Sequence, residues 1–222
     1  MTCISIVSGG LDSVTMAYWL ANEGYVQRLL SFDYGQRHVK ELESAQRCAD
    51  ALNVAHTVVD LHSVTPLLWG SSLTDLAVDV PDGHYAAPSM AATVVPNRNA
   101  IMLSIAYAAA IADGAYAVAM GVHTGDHFIY PDCRPDFIER FAAMERVAAE
   151  GHIVEGFRLL TPFLKVDKTE IARQAHLLGV PIADTWSCYK GREVHCGQCG
   201  TCVERKEALH LAGVADPTEY MA

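Results

Sequence analysis

The chain has a deficit of positive charge, and this weighs against a nucleic-acid partner. It carries 16 Lys and Arg against 26 Asp and Glu, a formal net charge of −10. A protein that grips nucleic acid by its phosphates usually shows a basic stripe, because released counterions supply the affinity. No such stripe appears in the sequence, so we expect a small-molecule substrate and no nucleic-acid partner.

Long hydrophobic runs are also missing. The most apolar stretch, Ala100 to Ala112, is far short of the roughly 20 residues that a helix needs to span a bilayer. The N-terminus has neither a positively charged region nor a small-residue cleavage site, the marks of a secretory signal. We therefore expect a cytoplasmic protein with no membrane contact.

What is present is an alternation of short apolar runs with helical patterns. Strand–helix–strand order implies right-handed crossovers and an α/β fold with a doubly wound, mainly parallel sheet. The 222 residues suit one such domain, 1–185, followed by a small C-terminal segment, 186–222. Strands are predicted at 3–7, 29–32, 56–59, 116–121 and 159–160, and helices after each of the first two strands and at 98–113, 135–150, 167–178 and 202–211.

Several local features give finer expectations. The first helix is expected to bury Ala21 and the second Val39, because both lie on apolar stripes. Asp167 with Glu170 reads as a capping box. Between Leu61 and Pro96 the signal weakens, which predicts a long excursion of the lid type.

A glycine-bearing turn follows the first predicted strand. It lies at the carboxyl edge of the sheet, where open α/β sheets bind ligands, and the next helix adds a positive dipole end. Two glycines let successive N–H groups face one anion. A phosphate site is predicted, although a plain strand–helix turn with a Ser/Asp cap is the structural alternative. The lysine of a Walker A loop is missing. The turn reads Ser8-Gly9-Gly10-Leu11-Asp12-Ser13.

Four of the seven cysteines are crowded near the C-terminus. Four thiolates at C-x7-C-x2-C-x2-C spacing suit a closed tetrahedral Zn²⁺ site. A redox pair, an iron–sulfur cluster and unligated core cysteines are the alternatives. Zinc is the favoured interpretation, with a structural role. The four are Cys188, Cys196, Cys199 and Cys202.

The turn at Ser8 resembles the pyrophosphate loop of the N-type ATP pyrophosphatases. With five further segments, the whole chain to Pro217 resembles the 7-cyano-7-deazaguanine synthase family, which makes the nitrile precursor of queuosine. The sequence departs from the family pattern at Asn97, where many members have glycine. The segments are Phe32–His38, Val95–Asn99, Tyr130–Arg134, Thr185–Tyr189 and the cysteine cluster.

This resemblance implies a ligase that acts twice on one base. The carboxylate of 7-carboxy-7-deazaguanine attacks ATP, giving an acyl adenylate and pyrophosphate, and ammonia then displaces AMP to form the amide. A second ATP activates the amide oxygen, and loss of AMP leaves the nitrile. The implied cofactors are ATP, Mg²⁺ and Zn²⁺, and a homodimer is a family-level expectation.

Residue roles follow from the resemblance together with position in the chain. The loop and Val14 are expected to hold the ATP phosphates, with Mg²⁺ near Asp12, and Asp33 to contact ribose or adenine. Lys165, Lys168 and Arg98 are candidates to neutralise phosphate or carboxylate charge. Asp132 and Trp186 are expected at the base, and His123 and His127 are weaker candidates for proton transfer.

Each of these roles has a structural alternative. Lys168 lies in a first helical turn and could almost equally well be a solvated surface residue. Arg98 could instead form one half of a structural salt bridge. Asp33 and Asp132 equally suit turn caps, and Trp186 suits a core anchor.

Two rival functions remain open at this point. A tRNA-modifying pyrophosphatase would usually carry a basic surface and an added RNA-binding region. A non-catalytic nucleotide-binding homologue would be expected to lose the Ser or Asp of the loop.

Overall fold

A computed structural model describes residues 1–85 and 87–221, and one five-stranded sheet forms its centre. Neighbouring strands are all parallel and lie in the order β3-β2-β1-β4-β5, so the predicted doubly wound sheet is confirmed. The order reverses between β1 and β4, which opens a crevice at their carboxyl ends. The strands are β1 Thr2–Ile6, β2 Val26–Asp33, β3 Ala55–Asp60, β4 Ala117–Ala119 and β5 Arg158–Leu160.

Helices cover both faces of the sheet. Alternate β1 side chains point to opposite faces, so Ile4 packs on the side of α3 and α4, and Cys3 on the side of α1, α2, α5 and α6. Within the described residues no helix has the length and hydropathy of a bilayer span. The helices are α1 Leu11–Asn22, α2 Glu41–Leu52, α3 Arg98–Ala112, α4 Pro135–Ala148, α5 Lys168–Leu177 and α6 Gly200–Ala212.

Some local expectations are confirmed and others are wrong. The Asp167 side chain accepts a hydrogen bond of 2.8 Å from the Glu170 N–H, so the N-cap half of the predicted capping box is present, while the Glu170 side chain accepts from Arg173 and Gln174 instead. Val39 is 47% exposed, because α2 begins only at Glu41 and the turn before it directs His38 inward instead. Ala21 is also exposed.

The excursion from Leu61 to Pro96 is packed rather than lid-like. Short 3₁₀ helices occupy Thr65–Leu67 and Pro88–Thr93. Leu73 and Met90 are buried and join the core on the α3 side. The local pattern is irregular because the side chains of this segment are held by tertiary contacts and not by a repeating element.

At the C-terminus, α6 packs against α5 and is tied down by a buried arginine. The guanidinium of Arg205, fully buried, donates to the Ile182 carbonyl and the Thr185 hydroxyl, both at 2.7 Å, and to the Thr218 hydroxyl at 2.9 Å. One side chain thus joins α6 to the segment before the first cysteine ligand. The division into domains at residue 185 stays a prediction.

Replacing Arg205 tests this anchor. Arg205→Met should lower the free energy of unfolding by about 3–5 kcal/mol, because the carbonyl and hydroxyl partners stay buried without a donor. Urea unfolding followed by circular dichroism measures the change. Arg173→Met, which removes an exposed ion pair with Glu170, is the matched control and should cost less than about 1 kcal/mol. Equal losses would contradict the anchoring role.

Candidate active site and metal centre

The turn after β1 is pressed against the start of α2. Gly9 has φ +94°, and a Cβ there would lie 2.1 Å from the Glu41 carbonyl oxygen. Only glycine fits at this position. Gly10 is the N-cap of α1 and no side chain caps the helix, so the first α1 amides face the cavity end of β1 without a side-chain acceptor.

Two serines close the turn on itself. The hydroxyls of Ser8 and Ser13 are 3.2 Å apart, and the Ser13 hydroxyl also donates to the Gly10 carbonyl at 3.2 Å. The Gly10 N–H donates to the Ser8 hydroxyl at 3.3 Å. These bonds within the loop hold its shape, and a site of fixed shape lowers the entropic cost of binding an anion.

Asp12 is the charged centre of this site. Its Oδ2 lies 2.5 Å from the Lys168 ammonium and 3.8 Å from His123 Nε2. Burial disfavours the charge of Asp12, but Lys168 and His123 together hold its pKa below the usual range. Burial likewise opposes the charge on Lys168, while Asp12 and then Glu204 raise its pKa. With its side chain 15% exposed, Lys168 is not a solvated first-turn residue.

A buried histidine extends the network toward a second carboxylate. His123 is 1% exposed, and its Nδ1 accepts a hydrogen bond of 3.1 Å from the Gly125 N–H. Its Nε2 therefore faces Asp126 Oδ1 at 3.6 Å as well as Asp12. The Tyr85 hydroxyl donates to the same Asp126 oxygen at 3.0 Å. The carboxylates of Asp12 and Asp126 thus alternate with the Lys168 ammonium and the His123 ring beside the cavity.

The opposite part of the cavity centres on Arg98, the first residue of α3. Its Nη1 donates to the Tyr34 hydroxyl at 3.4 Å. Asn97 before it has φ +56°, a left-handed conformation that asparagine tolerates better than most residues. His38 Nε2 and Glu41 Oε2 lie 3.4 Å apart nearby. Burial lowers the pKa of His38 to about 3 and raises the pKa of Glu41 to about 8.

Most of these groups line one cavity of about 1080 Å³, including its open mouth, while Gly9, Asn97 and His123 lie behind the residues that form its wall. The cavity lies where the strand order reverses, as the fold requires. Among the predicted site residues, eight line it: Ser8, Gly10, Leu11, Asp12, Ser13, Arg98, Lys168 and Trp186.

Several predicted site residues lie elsewhere. Lys165 is exposed and outside the described cavity wall, and Val14 is buried in the core. Asp33 accepts from the Gly35 N–H at 3.1 Å as a local turn cap, and Asp132 accepts from the Asn99 N–H at 3.1 Å, which ties its loop to the start of α3. His127 is likewise outside the described lining. Roles for these residues at the substrate stay predictions.

The sequence reasoning missed some of the wall. Tyr34, Tyr130 and Tyr189 stand inside the quoted family segments, which was the available signal. For Glu41 and Glu204 the sequence offered no signal of a place in the cavity wall, because an acidic residue in a helix is ordinarily exposed.

The four clustered cysteines form a metal-binding site beside this cavity. Their sulfur atoms all lie within 4.8 Å of one another, and all four side chains are buried without a disulfide. The Cys199 N–H points at the Cys196 sulfur at 3.2 Å, helped by Gly197 at φ +73°. Trp186 packs on this segment, and its indole N–H donates to the Cys188 carbonyl at 2.9 Å.

Residues 2–213 match the family described as "Queuosine biosynthesis protein QueC". The chain belongs to the QueC family. Curated relatives named 7-cyano-7-deazaguanine synthase include proteins of Brucella anthropi, 56% identical over 99% of this chain and 94% of the relative, and Rhizobium johnstonii, 57% identical over 99% and 92%. A third, from Ruegeria pomeroyi, is 57% identical over 99% and 94%.

Solved structures add support for the fold of this QueC member. The U34-tRNA thiolase NcsA from Methanococcus maripaludis, determined with its 4Fe-4S cluster, is 14% identical with a TM-score of 0.50. The match covers 95% of this chain and 65% of the thiolase. NMN synthetase from Francisella tularensis is 16% identical with a TM-score of 0.50, covering 96% and 77%. At these identities the likeness concerns the fold alone.

Gly9→Ala tests the shape of the loop. Because the new Cβ would strike the Glu41 carbonyl, we expect a loss of about 3 kcal/mol or more in the free energy of unfolding. Binding of an ATP analogue, measured by calorimetry, should also be lost. In Gly24→Ala, where φ is +79° and a Cβ would meet nothing within 4 Å, the cost should be about 1–2 kcal/mol, and the analogue should bind normally. Similar behaviour of the two variants would refute the packing argument.

The buried pair of His38 and Glu41 predicts a pH dependence of stability. Above the ordinary His38 value of 6.5 and up to about 8, the folded state keeps Glu41 protonated while the unfolded chain has released that proton. Stability therefore falls as pH rises through this window. Between pH 4.5 and about 3, His38 is protonated in the unfolded chain but still neutral in the folded protein. Stability therefore falls as pH decreases through this range.

Glu41→Gln should remove the loss between pH 6.5 and 8, which amounts to about 2 kcal/mol. Urea unfolding at several pH values in this window provides the measurement. Glu43→Gln, an exposed position on the same helix, should keep the wild-type slope. A slope unchanged in Glu41→Gln would show that another group titrates.

Proposed function

We propose that this QueC-family enzyme converts 7-carboxy-7-deazaguanine and ammonia to 7-cyano-7-deazaguanine at the expense of ATP. The naming of full-length relatives at 55–57% identity supports the assignment. The observation that carries it is that one cavity has the glycine-bearing loop at one part and Arg98 at another. The loop is complementary to the phosphates of a nucleotide, and Arg98 is complementary to the carboxylate of an anionic base.

At the loop, the chain would hold the phosphates through backbone amides of Gly10 and the first turn of α1. Lys168 supplies a positive charge beside Asp12 for the pyrophosphate that leaves. When a carboxylate oxygen of the acid attacks the α-phosphorus, the bond to the β-phosphate oxygen breaks and negative charge grows on the diphosphate. A fixed ammonium and helix dipole stabilise that charge without rearrangement.

The cavity also fits a magnesium ion. Asp12 Oδ1 is buried and, among the described residues, has no hydrogen-bond partner, so one hard oxygen ligand is available. Mg²⁺ is commonly held by one or two carboxylates together with substrate phosphates and waters. Bound there, it would neutralise phosphate charge during adenylation.

The four cysteines would hold Zn²⁺. Four buried thiolates with backbone N–H groups directed at sulfur suit a closed tetrahedral structural site. The site would orient α6, which contributes Thr201 and Glu204 to the cavity wall.

Arg98 is the proposed partner of the substrate carboxylate. It donates to the Tyr34 hydroxyl and has Tyr130 and Tyr189 close by, so neutral hydroxyl groups surround a buried cation. The charge of the acid would be matched here while the base packs beside Trp186. We further propose a cytoplasmic enzyme, a homodimer, that takes small molecules and no nucleic acid.

Mass spectrometry of the acid incubated with ATP, Mg²⁺ and ammonium tests the reaction. We expect amide and nitrile products, and AMP and pyrophosphate rather than ADP and orthophosphate. If the acid carries ¹⁸O in its carboxylate, one labelled oxygen should appear in each AMP, since both oxygens depart in the two steps. Release of ADP, or sulfur transfer to tRNA in place of nitrile formation, would overturn the proposal.

Asp12→Asn should slow this turnover at least about 10²-fold, because it removes the charge that holds Lys168 and an oxygen ligand for Mg²⁺. Elemental analysis should still find one zinc, as the cysteines are untouched. Asp113→Asn, which removes an exposed ion pair with Arg28, is the control and should keep full activity. Wild-type rates in Asp12→Asn would refute the role of the loop aspartate.

A further inference from the structure

Glu204 stands in the cavity wall without a part in the proposed reaction. Its side chain is 14% exposed, and its Oε2 lies 3.5 Å from the Lys168 ammonium. Burial raises the energy of a carboxylate here, and Asp12 and Asp126 add negative charge nearby. A buried carboxylate in this position destabilises the folded protein unless it is paired with a positively charged group.

The helix that carries Glu204 is firmly held. Cys199 precedes α6, and Cys202 lies in its first turn, so two of the four thiolates bracket the helix start. Arg205, next to Glu204, is fully buried and bonded to two other segments, at Ile182–Thr185 and at Thr218. The Glu204 carboxylate therefore projects from one of the most constrained turns of the chain.

Lys168 needs such a partner. Its ammonium has three N–H donors on a flexible four-carbon stem, and fixing that stem costs rotamer entropy. Asp12 provides one acceptor at 2.5 Å. If the same carboxylate turns to a magnesium ion when nucleotide binds, a second acceptor keeps the ammonium at the loop.

We propose that Glu204 is a positioning residue of the phosphate site, which holds Lys168 beside Asp12 from helix α6. The four-cysteine segment thereby determines where the Lys168 charge meets the nucleotide. The inference rests on the proposed function only in taking ATP as the nucleotide.

The proposal is tested by whether removal of the Glu204 carboxylate weakens or strengthens nucleotide binding. By charge alone, Glu204→Ala should strengthen binding of α,β-methylene ATP with Mg²⁺, because a negative group near the phosphates is removed. If Glu204 positions Lys168, the variant should instead bind the analogue about tenfold more weakly. Glu204→Gln should lie between, since its amide oxygen still presents a partial negative charge to the Lys168 ammonium. Isothermal titration calorimetry provides the dissociation constants.

A double-mutant cycle with Lys168→Ala separates positioning from a general structural effect. In the Lys168→Ala background, Glu204→Ala should no longer weaken binding, because the residue it positions is gone. Glu207→Ala, exposed on the same helix, is the control and should bind as wild type. Zinc content and thermal unfolding of each variant verify the fold.

Two results would overturn the proposal: unchanged or tighter binding in Glu204→Ala, or an equal weakening with and without Lys168. Neither measurement uses the deazaguanine acid. A protein that fails to make the nitrile but shows the expected cycle would therefore refute the proposed function and leave this inference standing.

Discussion

The ion pair between Asp12 and Lys168 is the contact on which the rest of the site depends. It joins the turn after the first strand to the start of α5, and the two residues are 156 positions apart in the chain. Both side chains are largely buried, so each needs the other to stay charged. Because α5 packs against α6, the same contact brings the cysteine segment to the cavity.

The cavity itself follows from topology. The reversal of strand order between β1 and β4 leaves the carboxyl ends of these strands without a covering crossover, and α1 and α3 diverge on either side. Polar groups buried in this crevice occur mostly in partnered sets, such as Asp126 with His123 and Tyr85. Asp12 Oδ1 and His38 Nδ1 are exceptions among the described residues, and both belong to the cavity wall. Unmet hydrogen-bonding capacity of this kind marks where ligand atoms belong.

Much of the fold could be predicted because its signals are local. A continuous apolar run indicates a buried parallel strand, and Asp167 caps its helix through the amide three residues on. Errors arose where tertiary contacts override the local pattern. Val39 fits an apolar stripe, but the turn before α2 is held by His38 and the helix starts later. The segment from Leu61 to Pro96 has no period, and yet it contributes Leu73 and Met90 to the core.

By itself, the sequence determined the parallel α/β class, the anion loop and the four-cysteine site, because each depends on residues that are close in the chain. The tertiary structure decided which charges meet. Of two lysines three positions apart, the sequence favoured Lys165, and only the docking of α5 directs Lys168 to Asp12. Glu204 joins them for the same reason, since long-range packing and not local spacing sets the distances between charged groups.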